Sequence, residues 1–146
     1  MRATSRILGG LALAWLAAAA LWAAAGTGRL VVTVEGLDSN RGRLALALFD
    51  SAETYAARGE PCRRAFVAVD ERGGRWEVEG LPPGEYVLAF YHDRNGNGEL
   101  DKNKLGVPKE PYGFSGNARA LFGRPSFEAA RFTVEEGTTT LVLSPR

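Results

Sequence analysis

From residue 30 onward, apolar and polar positions alternate with a period of two, the mark of strands that turn one face to a core. Leu30, Val32 and Val34 alternate with Val31, Thr33 and Glu35. Leu44, Leu46 and Leu48 share one face of a second segment, whose other face carries only the small Ala45 and Ala47. The turn-forming run Gly36-Leu37-Asp38-Ser39-Asn40 between them predicts a hairpin. Small side chains on the second face predict either solvent exposure or the close approach of another segment.

Residues 51–62 break the alternation and fit one helical turn or an ordered loop before Pro61. Alternation returns over 65–69, and Asp70-Glu71-Arg72-Gly73-Gly74 turns the chain into a strand carrying Trp76 and Val78. Trp76 and Leu81 are the predicted core anchors. After Pro82-Pro83-Gly84 comes the β-branched and aromatic strand 86–91, while Phe132 with Val134 and then 139–143 mark the last two strands. Seven short strands without a long helix predict an all-β fold, a seven-stranded antiparallel Greek-key β-sandwich, with a small barrel as the alternative. The connection 102–128 before the last two strands carries Leu105, Val107, Tyr112, Phe114, Leu121, Phe122 and Phe127, too much apolar surface for a free linker. It is expected to fold back over the sandwich.

The first 25 residues are of a different kind. Arg2 and Arg6 precede an Ala- and Leu-rich apolar run that ends in Ala23-Ala24-Ala25, so 1–25 reads as a signal peptide, with an uncleaved N-terminal membrane anchor as the alternative. Its removal leaves a single domain over 26–146 and predicts a periplasmic or secreted protein without a further membrane span. Two of the 18 basic residues and none of the 17 acidic ones go with it, leaving a net charge of −1 with His neutral. That balance does not predict nucleic-acid binding. The single Cys62 has no intrachain disulfide partner, and the single His92 has no evident orienting partner, so the thiol reads as inert.

The densest chemistry lies directly after the strand 86–91, in Asp93-Arg94-Asn95-Gly96-Asn97-Gly98-Glu99-Leu100-Asp101. Oxygen-bearing residues at alternate positions around a glycine-rich turn can wrap a hard cation. Side-chain oxygens of Asp93, Asn95, Asn97 and Asp101 and the backbone carbonyl of Glu99 fall at the ligand positions of a calcium loop, with Gly98 at the sharp turn. Calcium is the predicted ion. Lys104 occupies the twelfth position, where an EF-hand supplies a bidentate Glu, so the site would be a strand-to-loop variant. The alternative is a metal-free turn in which Asp93, Asn95 and Asn97 cap their own backbone amides.

Three stretches in order carry a family resemblance: Leu81-Pro82-Pro83-Gly84-Glu85-Tyr86, the run from His92 to Asp101, and Leu105-Gly106-Val107-Pro108-Lys109-Glu110-Pro111-Tyr112-Gly113-Phe114-Ser115. Together with Pro125-Ser126-Phe127-Glu128 and the last two strands, they resemble the bacterial domain-of-unknown-function family numbered 2141. The resemblance implies an exported or envelope-associated sandwich similar to transthyretin-like and carboxypeptidase regulatory-like domains; an immunoglobulin-like arrangement is the other form considered for these strands. It names no reaction. The family pattern commonly reads Gly-Phe-Ser-Asn-Asn, whereas this chain has Gly113-Phe114-Ser115-Gly116-Asn117.

These readings predict a noncatalytic, monomeric, calcium-stabilised module of the cell envelope, with Glu110 and Asn117 as additional polar groups that, beside Lys109, would give polar specificity to a recognition surface. A second prediction is recognition of an envelope or extracellular protein, peptide or glycan through Tyr112, Phe114 and Phe122. A hydrolase-type enzyme built on His92, Asp93, Glu110 and Ser115 is the third reading. It lacks any recognised nucleophile or metal motif.

Overall fold

The computed structural model describes residues 26–146, and the predicted signal segment 1–25 lies outside the described residues. Strands β1 (Gly28–Val34), β2 (Arg43–Phe49), β3 (Arg63–Ala68), β4 (Gly74–Leu81), β5 (Gly84–Asp93), β6 (Tyr112–Phe114), β7 (Phe132–Val134) and β8 (Gly137–Leu143) form two open sheets. One has the order β4-β1-β8, and the other runs β3-β2-β5-β6 with β7 also paired to β5. Leu30, Val32, Val34, Val78, Leu81 and Leu143 of the first sheet meet Leu44, Leu46, Leu48, Tyr86, Leu88 and Phe90 of the second in one buried cluster. The result is all-β and sandwich-like, and Leu81 is buried as predicted while Trp76 packs half-buried against the same core.

Local turn chemistry misplaces several connections. The predicted β1–β2 hairpin does not form: β1 pairs with β4 and β8, whereas β2 pairs with β3 and β5. A run of turn residues says that the chain reverses, not whether it returns in its own sheet or crosses the core to the other. The same crossing occurs from β3 to β4, from β4 to β5 and from β7 to β8. Nor is the pairing wholly antiparallel, because β1 and β8 run parallel over the register Gly28↔Gly137 to Val34↔Leu143. There are eight strands among the described residues and not seven, the additional one being β6 inside the long connection.

The short helix Ala52–Ala56 is the predicted helical turn of 51–62, capped by Ser51, whose side chain accepts from Thr54 N at 3.2 Å. A second short helix, Phe127–Ala130, is capped in the same way by Ser126. These two helices and the 3-10 turn Ser115–Asn117 cover one end of the outer face of the five-stranded sheet. There Phe49, Tyr55, Val87, Phe114 and Ala130 make a second buried cluster. The other end of that face stays open, and the loop after β5 stands at its lip.

No helix among the described residues is long and apolar enough to cross a membrane.

Candidate functional site

The loop is held at its root by β5. Asp93 ends that strand, opposite Arg43 of β2, and is fully buried. Its Oδ2 accepts from Arg43 Nε at 3.0 Å and from Gly98 N at 2.9 Å, while Oδ1 is buried with no partner. Burial alone would raise the Asp93 pKa. The hydrogen bonds from Arg43 and Gly98, together with the Arg43 charge, outweigh it and hold the carboxyl below its usual range. Gly42 lets Arg43 approach: a Cβ there would stand 2.1 Å from the Asp93 carbonyl oxygen.

The rest of the loop folds on itself. Asn95 Oδ1 accepts from Asn97 N at 3.1 Å and Asn97 Oδ1 from Glu99 N at 2.9 Å, two successive Asx turns. Both Asn amide groups reach Asp101, at 2.6 Å from Asn95 and 3.0 Å from Asn97. The buried Glu110 clamps the two ends, its Oε1 accepting from Arg94 N at 2.9 Å and its Oε2 from Asp101 N at 3.1 Å. Tyr91 donates to the Gly98 carbonyl at 2.7 Å.

The side chains of Asn95, Asn97 and Asp101 are thus joined to one another with their oxygens already hydrogen-bonded, while Gly98 bonds back to Asp93, which keeps one buried oxygen unspent. The last two features fit a cation. Two others weigh the opposite way: Arg43 already places one positive charge on Asp93, and only two carboxylates, Asp93 and Asp101, stand at side-chain ligand positions. Among the described residues no group of three or more His, Cys, Asp or Glu side chains forms a metal-binding cluster.

Beside this loop the outer face of the five-stranded sheet forms a groove of about 410 Å³. Cross-strand register builds it. Phe66, Ala45, Tyr91 and Tyr112 lie in one row across β3, β2, β5 and β6, and Arg64, Ala47, Ala89 and Phe114 in the next. The alanines make a low floor between aromatic walls, so the small second face of β2 marks a hollow. A second groove of about 540 Å³ runs between segments 100–108 and 121–124 and shares Leu100, Tyr112, Phe114 and Arg124 with the first. Its rim exposes Leu105, Val107, Leu121 and Phe122, with Phe122 at 93% exposure. Apolar side chains that open, grouped along one hollow, mark a binding surface more often than scattered ones do.

Of the predicted recognition residues, Tyr112 is half-buried and Phe114 buried, yet both line the grooves, whereas Phe122 is exposed at the rim. Asn117 lies away from the metal-loop hydrogen bonds, its Oδ1 accepting from Ser144 N at 3.1 Å. Asn117 thus ties down the C-terminal segment. Gly116 and Asn117 adopt φ of 67° and 49°, the left-handed region where Gly and Asn are the least strained residues. Gly116 thus fills a position suited to the Asn of the family pattern.

Ser115 is buried, accepts from Leu88 N at 3.0 Å and donates to the Ala130 carbonyl. It bridges the gap between β6 and β7 on the outer edge of β5 and makes no bond to His92. The His92 ring is buried with Nε2 2.7 Å from the Arg41 carbonyl, and its Nδ1 has no hydrogen-bond partner. Cys62 is half-buried against the core, and burial raises its thiol pKa. Sequence reasoning missed Arg43, Arg124 and the alanine floor. Only the Ala45/Ala47 face gave any signal.

A family model described as an uncharacterized protein conserved in bacteria, DUF2141, matches residues 32–142. No curated protein matches the chain.

Proposed function

We propose that this chain, which belongs to the DUF2141 family of uncharacterized bacterial proteins, is a noncatalytic binding module of the cell envelope whose ligand lies on the outer face of the five-stranded sheet. One observation carries the reading: the alanine-floored, aromatic-walled groove of about 410 Å³ opens into a second one rimmed by exposed Leu and Phe side chains. A pocket of about 300–1,000 Å³ with few polar groups is the usual form of a small-molecule site. Phenylnaphthylamine, a neutral apolar dye, tests it. Dye fluorescence should rise on binding, and Ala47→Trp, which fills the floor, should weaken binding at least tenfold in a variant that still melts cooperatively. Undiminished dye binding would place the dye elsewhere and remove the reading.

A second reading concerns the lip. Calcium held by Asp93, Asn95, Asn97, the Glu99 carbonyl and Asp101 would fix segment 94–110 beside the groove, and the unpartnered Asp93 Oδ1 favours it. With only two carboxylates, such a site would belong to the weak, extracellular class, at roughly 10⁻⁴–10⁻³ M. At calcium about 100 times Kd the ion would add about 2.7 kcal/mol of stability. Calorimetric titration should rank Asp93→Ala below Asn95→Ala in calcium affinity. Absence of any calcium heat, with the same melting temperature in calcium and in chelator, would leave the loop a self-capped turn.

A further inference from the structure

Resting on the groove reading above, we infer that the two joined grooves bind a single-chain amphipathic carboxylate, an acyl tail lying on the alanine floor with its head toward Arg124. The lining composition supports both ends of that ligand. Neither groove is lined by any Asp, Glu, Asn, Gln, Ser or Thr, so nothing there but backbone and two tyrosines could accept from sugar hydroxyls or a polar peptide. All the charged side chains that line the two grooves are cations. Arg64 lines the first groove, Arg58, Lys102 and Arg146 the second, and Arg124 both. Among the ion pairs of the described residues, only Arg64 of these five has a carboxylate partner, Glu60.

Arg124 is the best placed of them. Its guanidinium stacks 4.6 Å from the centroid of Tyr55 and donates to the Tyr55 carbonyl at 2.7 Å, which orients the group without neutralising it. A half-buried guanidinium without a counter-ion gains from a carboxylate, which it can meet through two parallel hydrogen bonds. An apolar trough with such a cation where its two grooves join selects the sign of the head group as well as the tail.

Sodium decanoate below its micellar concentration and decyltrimethylammonium, the same tail with opposite head charge, provide the test by displacement of phenylnaphthylamine from the purified protein. Decanoate should bind at least tenfold more tightly than the ammonium, and added salt should narrow that gap. Arg124→Gln should weaken decanoate at least tenfold without weakening the ammonium. Lys102→Gln, at an exposed position, should weaken it in the same sense should Arg124→Gln fail to fold. Equal binding of the two amphiphiles, both abolished by Ala47→Trp, would overturn the anion while leaving the groove reading intact. If neither amphiphile nor the dye responds to Ala47→Trp, both fall. Binding to phosphatidylglycerol vesicles but not to monomeric decanoate would make the face a membrane contact and overturn the inference.

Discussion

Two buried side chains do different work within a few ångströms of the same strand. Ser115 supplies the acceptor that Leu88 N would otherwise lack between β6 and β7, and donates its own hydroxyl hydrogen bond to the Ala130 carbonyl. Ser115→Ala removes both bonds and strands a buried N–H, so urea unfolding should show a loss of about 1–3 kcal/mol. Unchanged stability would mean that water replaces the hydroxyl. Asp93 acts through charge. Its folded pKa lies below the unfolded value of about 3.9, so its contribution is present above that value and fades as pH falls through the folded one. In chelator, the stability gap between the parent protein and Asp93→Asn should be widest above about pH 5 and shrink on acidification. A gap constant with pH would show that the Arg43 pair contributes nothing net.

At the scale of elements, β5 organises the molecule, and its character was legible. The β-branched and aromatic run over 86–91 behind the Pro-Pro-Gly turn gave the strand, and the Asx-Gly run gave the turn after it. What escaped was β6, three residues inside the long connection and too short to show a period, together with the pairing of the foreseen strand β7 to β5. The groove escaped for a related reason: Ala45 and Ala47 are a few residues on one strand, and only registry with Phe66, Tyr91 and Tyr112 turns them into a floor. Gly113 is the tightest point of the outer edge of β5. A Cβ there would stand 2.6 Å from the Phe90 ring and 3.2 Å from the Ser144 carbonyl oxygen. Phe90 is itself buried in the main core, so the ring has little room to move. Gly113→Ala should therefore destabilise by about 1–3 kcal/mol through overpacking, as read by chemical denaturation, and a neutral result would show that β6 yields instead.

At the scale of the whole fold, the first and last strands of the described residues close the smaller sheet. β1 is the central strand of the three-stranded sheet, and its second neighbour is β8, brought back in parallel so that Gly28 meets Gly137 and Val34 meets Leu143. Sequence pattern alone could show that the final strand was apolar, but not this pairing, since parallel neighbours carry no local turn signal. Two consequences follow from the topology. Folding must wait for a contact that spans nearly the entire described chain, which places it among slow β-rich folders, on the order of milliseconds to seconds. The C-terminal strand also cannot be trimmed as a loose tail would be: Leu143 is buried in the main core, and the backbone of β1 would lose one whole ladder. Deletion of residues 137–146 should abolish the cooperative thermal transition and expose Leu30, Val32 and Val34 to water. A truncated chain that still melts cooperatively would show that the five-stranded sheet, with the groove on its outer face, folds without the closure supplied by β8.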